Sequence, residues 1–251
     1  MLKTDTRGKP RGRRLFAAGL VSAAVLAAVV SRARWLDFGF LLDELPPGSA
    51  PLPCIESSAP IADAFPWSGV VTLVDQHDRA LTWAVCRVDA EVRITAVHPH
   101  WEVEHRAKPD GTPLLTVHRR GGVTTRITWT EEGAQVERTN LNNERSLVTI
   151  LEKDLWDGDT LGARLAGITW TDGVKVHLRV IDVDLADGTT YPLVAEYVGH
   201  ERCGDLPCVH VHVALADFRR LFAPSFDYRF APRPTAKCLQ YDGDGLRFTA
   251  R

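Results

Sequence analysis

Residues 174–213, VKVHLRVIDVDLADGTTYPLVAEYVGHERCGDLPCVHVHV, are the stretch that decides the fold. They form three runs in which apolar and polar residues alternate, and turn-forming residues separate the runs. Side chains of a β-strand point alternately to its two faces, so strict alternation indicates a strand with one buried face. The stretch therefore predicts the middle of a curved antiparallel sheet that carries the hydrophobic core.

The alternation also predicts which side chains point inward. In the third run, valines at 209, 211 and 213 alternate with Cys208, His210 and His212. In the first run the apolar positions change parity after Val180, which predicts a bulge or a bend there because the side-chain period of a strand is two. The inward residues predicted for the first two runs are Val174, Val176, Leu178, Val180, Tyr191, Leu193, Ala195 and Tyr197.

Short strand-like runs also fill the rest of residues 67–251. Turn signals such as Lys108-Pro-Asp-Gly and Glu131-Glu-Gly separate them at intervals of about ten residues, as in a meander of antiparallel strands. Apolar residues within 214–222 have helical spacing and predict one short helix. We therefore expect a mostly β domain over 67–251, an antiparallel curved sheet or incomplete β-barrel with one or two short helices.

The N-terminus has the composition of an export signal. Residues 1–34 hold eight Lys or Arg and one acid, and the uncharged apolar run 15–30 lies within them. As a helix this run spans about 24 Å, which is shorter than the ~30 Å hydrocarbon core of a bilayer. A basic region before so short an apolar run is typical of a signal peptide, and Ser31 and Ala33 provide small residues for cleavage after 33.

We therefore predict that residues 1–33 form a hydrophobic helix that acts as a signal peptide. The alternative is an uncleaved membrane anchor. Both place the domain outside the cytoplasm, either periplasmic or anchored to the inner membrane facing the periplasm. Residues 34–66 form a Pro-rich lead-in, since six of the fifteen prolines fall within 44–66.

The remainder of the chain is acidic. Residues 1–34 carry a formal charge of +7 and the whole chain carries −2, so residues 35–251 carry −9. Such a body lacks the positive surface with which proteins hold phosphate backbones, so nucleic acid is excluded as an expected partner.

Five cysteines are present, and export permits disulfides. Cys203 and Cys208 enclose a Gly-Asp-Leu-Pro turn between two apolar runs, and we predict a disulfide between them. The pairing of Cys54, Cys86 and Cys238 does not follow from the sequence, and at least one thiol is left over.

Two histidines are the candidate metal ligands. His210 and His212 lie on one face of a predicted strand, a spacing that can chelate a transition metal, but they also fit the solvated face of that strand. The Asp-Gly-Asp triplets at 157–159 and 242–244 fit turns better than calcium loops. The sequence contains no nucleophile, zinc-protease or nucleotide-binding motif, so we predict no catalytic residue and no cofactor.

Six segments of the second half follow one another in a characteristic order. They are Asn140-Leu-Asn-Asn-Glu-Arg, Trp156-Asp157, residues 161–170, Cys208-Val-His-Val, Phe226-Asp-Tyr-Arg-Phe and Cys238-Leu-Gln-Tyr-Asp-Gly. These segments resemble an uncharacterised group of bacterial periplasmic domains similar to the LolA/LolB-like lipoprotein carriers. The resemblance covers about residues 130–245 and implies an incomplete β-barrel around a hydrophobic cavity, but it transfers no functional residue.

Three functional hypotheses follow. The first is a non-enzymatic exported envelope protein whose curved sheet binds an apolar small molecule, a lipid or a lipid-modified partner, with some of the seven tryptophans lining a cavity. The second is a structural or assembly module that contacts another envelope protein. The third is a metal-dependent enzyme that uses His210 and His212. A membrane contact through residues 1–33 is expected if that segment stays uncleaved.

Overall fold

The computed structural model describes residues 64–65, 68–75, 77–183, 188–221, 225–233, 235–243 and 246–250. The predicted hydrophobic helix within 1–33 and almost all of the predicted lead-in 34–66 lie outside these residues. No helix in the described part of the chain is long and apolar enough to cross a membrane.

The described residues are mostly β-structure. They contain one α-helix, α1 (Leu161–Ala166), and one short 3-10 helix, Phe218–Leu221. The strands are β1 Gly69–Val74, β2 Ala80–Val88, β3 Glu91–His98, β4 Trp101–Ala107, β5 Pro113–Arg120, β6 Val123–Thr130, β7 Gly133–Thr139, β8 Arg145–Ile150, β9 Leu155–Asp157, β10 Lys175–Ile181, β11 Thr190–Cys203, β12 Leu206–Leu215, β13 Phe226–Phe230, β14 Cys238–Gly243 and β15 Leu246–Ala250.

All fifteen strands belong to one sheet, in the order β8-β7-β6-β5-β4-β3-β2-β1-β15-β14-β13-β12-β11-β10-β9. From β1 to β8 the chain is an antiparallel meander, and a second meander runs from β10 to β15. Pairing of β1 with β15 joins the two meanders. Strands β8 and β9 stand at the two ends and are not paired with each other. The predicted mostly β, antiparallel and unclosed sheet is confirmed.

One pair of strands is parallel. β9 pairs with β10 in the same direction, and residues 158–174, which include α1, connect them. A parallel pair needs such a crossover because the chain must return to the starting end before the second strand begins. The crossover places α1 against the inner face of the sheet, where most of its residues are buried.

Contacts between distant strands show how strongly the sheet curves. Strand β9 is eleven positions from β5 in the sheet order. At about 4.8 Å per strand a flat sheet would separate them by roughly 50 Å. Nevertheless Asp157 at the end of β9 lies 2.8 Å from His118 on β5. The sheet is therefore rolled so that one end reaches the inner face near the other.

The larger hydrophobic cluster fills the inside of the roll. Leu193 and Ala195 on β11 and the valines 209, 211 and 213 on β12 point into it, as the alternation predicted. Phe65 also packs in this cluster, two residues before the predicted start of the domain at 67. Because His210 and His212 have the opposite parity, they point away from the core.

A second, smaller cluster joins the two ends of the roll. It consists of Ile127, Ala134, Val136 and Ile150 from β6–β8 with Leu155 and Ile181 from β9 and β10. Val180 belongs to the first cluster and Ile181 to the second, so both are buried although they point to opposite faces. The change of parity after Val180 therefore marks a strand end that is covered on both faces.

The sequence predicted a bulge or a bend near Val180. The register shift in this part of the sheet lies instead between Tyr197 and Gly199 on β11.

The disulfide prediction is confirmed for Cys203 and Cys208, which are bonded across the turn between β11 and β12 with their Cα atoms 6.0 Å apart. Cys86 is also disulfide-bonded. Cys238 is a free thiol, and its burial raises its pKa to about 12. Cys54 lies outside the described residues.

The described part of the predicted helix within 214–222 differs from the prediction, because β12 continues to Leu215 and a 3-10 helix follows at Phe218–Leu221.

We predict that Gly162→Ala destabilises the fold, because α1 packs on Trp83 so closely that a methyl group at 162 would overlap the indole ring. Forced overpacking costs about 1–3 kcal/mol, and the higher helix propensity of alanine offsets about 1 kcal/mol of this at most. Gly158→Ala is the control, since nothing lies within 4 Å of a methyl group there. Urea unfolding should show a lower midpoint for Gly162→Ala only, and equal midpoints would contradict this packing of α1.

Candidate functional sites

A histidine and two aspartates form a buried polar cluster inside the roll. His118 lies on the inner face of β5, where Val103 and Thr125 are its neighbours on the adjacent strands. Asp157 ends β9, and Asp159 follows in the turn that leads to α1. The crossover from β9 therefore delivers two carboxylates to a histidine on a distant strand.

Each ring nitrogen of His118 lies beside one carboxylate. Its Nε2 is 2.8 Å from Asp157 Oδ1, and its Nδ1 is 3.0 Å from Asp159 Oδ2. The Nε2 and Oδ1 atoms are buried, but they are not aligned as the donor and acceptor of a hydrogen bond. The side chain of Asp157 is fully buried, whereas that of Asp159 is about a quarter exposed. The cluster thus has one closed side and one side that meets solvent.

Electrostatics favours the charged forms of both partners. Burial alone would lower the pKa of His118, but the two carboxylates outweigh it and raise the pKa to about 10. Burial would raise the pKa of Asp157, but the neighbouring His118 and the hydrogen bond from Thr160 hold it below its usual range. Without any other ion, the cluster is an imidazolium between two carboxylates.

The supporting residues fix Asp157 and leave one of its oxygens for His118. Thr160 donates from both its hydroxyl, at 2.7 Å, and its backbone N–H, at 3.1 Å, to Asp157 Oδ2. Thr160 precedes α1 but its side chain does not cap the helix, because its hydroxyl is used on Asp157. The carboxylate is therefore oriented from within its own turn, independently of His118.

A second buried histidine lies next to this cluster. His105 on β4 contacts the ring of Trp156 with centroids 4.8 Å apart, and its Nδ1 lies 2.8 Å from the hydroxyl oxygen of Thr116. That oxygen also accepts the indole N–H of Trp129 at 2.9 Å. Burial lowers the pKa of His105 to about 4, so this ring is neutral at pH 7.

His118, Asp157 and Asp159 have the composition of a metal site. One ligand atom from each lies within 4.8 Å of the others, and they are the one such group of three or more metal-ligating side chains in the described ranges. An imidazole nitrogen and two carboxylate oxygens are ligands that Zn²⁺ accepts.

The histidines predicted from the sequence lie elsewhere, on the outer face of β12. His210 Nε2 and His212 Nδ1 both contact the same oxygen, Asp227 Oδ1, at 2.7 and 3.0 Å. His210 Nδ1 also pairs with Glu201, which Arg229 contacts at 3.3 Å. The structure thus brings the two histidines together around a carboxylate, within a network of ion pairs on the surface. Metal binding by these histidines stays a prediction.

The end strand β8 is a third feature of interest. In the described part of the chain it pairs with β7 on one side and with no strand on the other. Val148 and Ile150 point inward to the second hydrophobic cluster. Leu147 points outward with 67% of its surface exposed, and Leu151, just after the strand, is 73% exposed. Among the described residues this edge therefore has no partner strand, and it carries exposed apolar side chains.

A cavity of about 410 Å³ lies beside the start of β8. Its walls are formed by Arg138, Asn140, Glu144, Arg145 and Ser146. These side chains are charged or polar, so this cavity does not suit an apolar ligand.

Sequence reasoning missed the His118 cluster. The Asp-Gly-Asp triplet at 157–159 predicts a turn, which is correct for the backbone but says nothing about the contacts of the two side chains. The sequence could have pointed to His118 in one way only: the alternation of its strand places this histidine on the inward-facing side, between Thr116 and Arg120. The triplet at 242–244 differs, because Asp242 pairs with Arg229 and Arg247 and Asp244 lies outside the described residues.

The solved structures that resemble this chain do so only weakly. No family model matches the chain, and no curated protein does. One similar solved structure is described as a beta-barrel-like protein of the domain of unknown function DUF1849 from Brucella abortus, with 6% identity, 72% of this chain and 93% of that chain covered, and a TM-score of 0.48. Another is described as "a putative lipoprotein" from Parabacteroides distasonis. Its sequence is 9% identical, the match covers 75% of this chain and 95% of that chain, and the TM-score is 0.27. The fold described above therefore rests on the strand pairing of this chain.

We predict that the stabilising effect of His118 disappears in alkaline solution. Its pKa is raised from 6.5 to about 10 in the folded state, so its stabilisation is complete below about pH 6.5 and is lost as the pH rises through about 10. Urea unfolding in EDTA between pH 6 and 10 should show a larger loss of stability for the wild type than for His118→Gln.

Asp159→Asn, which retains Asp157, should show an intermediate loss between these two proteins. Arg145→Gln serves as the control, because its ion pair with Glu137 is surface-exposed and involves no histidine. Parallel pH profiles for the wild type and His118→Gln would show that the folded protein does not hold a charged imidazole at this position.

Proposed function

We propose that this protein is an exported envelope protein that binds an extended segment of another envelope protein along strand β8. The observation that carries the proposal is the open edge of a fifteen-stranded sheet whose last strand has exposed apolar side chains. This is the assembly function expected as the second hypothesis from the sequence, here with a defined surface.

The backbone of β8 supports strand addition. An edge strand presents a row of unpaired N–H and C=O groups, and proteins commonly protect such edges with charges, prolines or covering loops. Within β8 the single charged residue is Arg145 at its first position, and the strand contains no proline. Arg145 reaches back to Glu137 on β7 rather than across the edge. An incoming strand would satisfy these backbone groups by β-augmentation.

The side chains indicate what the partner segment looks like. Alternate residues of an added strand lie beside the outward and inward faces of β8. On the outward face Leu147 is exposed, and Leu151 and Leu141 extend the apolar surface beyond the two ends of the strand. A partner segment with apolar residues at alternate positions fits this surface.

The inner face of the roll gives less support to an apolar small molecule as the ligand. Trp83, Leu165, Trp170 and Phe230 are buried there against each other and against α1. Side chains of the protein itself thus occupy much of the space in which a carrier would hold its cargo. Binding of a lipid would require α1 or these aromatic rings to move.

Two observations support export. The basic and apolar N-terminal sequence is typical of a signal or anchor, and the folded body contains disulfides at Cys203–Cys208 and at Cys86. Disulfides persist in oxidising compartments and are rare in the cytosol. The two features are independent of each other, because one concerns the N-terminus and the other the folded domain.

The test is site-specific photo-crosslinking in the native host. A photoreactive residue at position 147 should give a discrete adduct with one envelope protein, and the same residue at position 198 should not. Val198 is the matched control, because it is an apolar residue that is 55% exposed and lies toward the other end of β11 from Thr190, the residue that contacts Glu152 beside β8.

The partner identified in this way should then bind the purified protein and slow hydrogen exchange of the β8 amides. Leu147→Lys should weaken that binding at least tenfold, with little effect on folding because the side chain is exposed, and Val198→Lys should not weaken it. Equal adducts at both positions, or unchanged exchange in β8, would contradict the proposal. Native mass spectrometry showing a bound lipid would instead favour the carrier hypothesis.

A further inference from the structure

We propose that His118, Asp157 and Asp159 bind one divalent transition-metal ion, of which Zn²⁺ is the best match. The site lies inside the roll and has no residue in common with β8, so it is independent of the proposed partner binding. Its function would be to hold the end of β9 against the inner face of β5.

The distances are compatible with one ion. Nitrogen and oxygen ligands of Zn²⁺ lie about 2.0–2.2 Å from the metal, so two ligands of a tetrahedral ion are about 3.4 Å apart. The three ligand atoms available here lie within 4.8 Å of one another. At its widest the cluster therefore needs a contraction of up to about 1.4 Å to surround an ion.

The charges are also compatible. With a neutral imidazole the two carboxylates carry −2, which a divalent cation neutralises. With an imidazolium instead of a metal, the cluster retains a net charge of −1, and of the two carboxylates only Asp159 reaches solvent. Buried charges in proteins are generally paired or coordinate metals, because an unpaired one loses its hydration.

The orientation of the buried atoms gives a separate argument. His118 Nε2 and Asp157 Oδ1 are shielded from solvent and lie 2.8 Å apart, yet no hydrogen bond with acceptable angles joins them. Buried polar atoms in native proteins nearly always have a hydrogen-bond partner. An ion between these two atoms would give each of them a partner.

The surroundings have the features of a metal site. Thr160 holds Asp157 Oδ2 with two hydrogen bonds, which fixes the carboxylate and leaves Oδ1 available. Such outer-shell bonds orient ligands in metal sites. Asp159 is partly exposed, so an ion can enter from its side and water can complete the coordination.

The ligand set indicates the class of metal. Ca²⁺ and Mg²⁺ prefer oxygen ligands alone, and Cu⁺ prefers sulfur. One imidazole and two carboxylates suit Zn²⁺ or Mn²⁺, and Zn²⁺ accepts three protein ligands with water in the fourth position.

The test uses the full chain, purified in detergent and freed of metal with EDTA. Isothermal titration with ZnCl₂ should show one site per chain, and elemental analysis after gel filtration should find one zinc. Co²⁺ in place of Zn²⁺ should give the visible absorption of a site with nitrogen and oxygen ligands. MnCl₂ titrated in the same way decides between the two metals.

Asp159→Asn is the main variant, because its partly exposed side chain leaves the fold intact when His118 or Asp157 variants do not. It should weaken Zn²⁺ binding at least tenfold. Asp172→Asn, an exposed aspartate in the turn before β10, is the matched control and should bind as the wild type does. The double variant His210→Gln/His212→Gln should also retain the site.

Two results would overturn the proposal. Absence of stoichiometric binding would leave His118 as an imidazolium held by two carboxylates. Binding that survives Asp159→Asn but is lost in His210→Gln/His212→Gln would place the metal on the outer face of β12, as the sequence alone predicted.

Discussion

A buried contact between strands that are distant in the sheet, that of His118 with Asp157, holds the rolled shape together with the two hydrophobic clusters. A sheet of fifteen strands has room to lie open, twist or roll, and local hydrogen bonding between neighbours does not choose among these. The ion pair between β5 and β9, together with the small hydrophobic cluster around Ile127 and Ile181, selects the roll. Because both partners are buried, this contact favours this one arrangement of the strands as well as stabilising it.

The same closure explains why the two ends of the sheet differ. At one end, β9 has only three residues, all of them buried, and the crossover through α1 follows directly. At the other end β8 has its inward side chains in the second hydrophobic cluster while its outward side chains remain exposed. The roll thus uses β9 for internal contacts and leaves β8 as a strand edge. A protein that binds a partner by strand addition needs one edge of this kind.

Much of the fold follows from local sequence. The valines 209, 211 and 213 mark the inner face of β12, the Lys108-Pro-Asp-Gly turn separates β4 from β5, and the spacing of Cys203 and Cys208 predicts their disulfide. Each of these signals lies within a dozen residues, where the strand period and turn chemistry decide the structure.

The rest depends on contacts between residues far apart in the chain. Pairing of β1 with β15 and the parallel pairing of β9 with β10 leave no local pattern, since a strand has the same alternation whichever neighbour it takes. The cluster of His118 with Asp157 and Asp159 follows from those pairings, so it becomes visible only once the sheet is rolled. His210 and His212 are close in sequence and also lie together around Asp227, whereas His118 and Asp157 meet only because distant strands of the sheet come together.

The central claim is that His118 and Asp157 act on each other across the roll, and a double-mutant cycle measures this directly. The free energy of unfolding is compared for the wild type, His118→Gln, Asp157→Asn and the double variant at pH 7 in EDTA. Removing one partner leaves the other charged and buried, so each single variant should be strongly destabilised and the double variant should lose less than the two losses combined. We predict a coupling energy of about 1–3 kcal/mol. Additive losses would show that the two side chains do not interact and that the sheet is closed by other contacts.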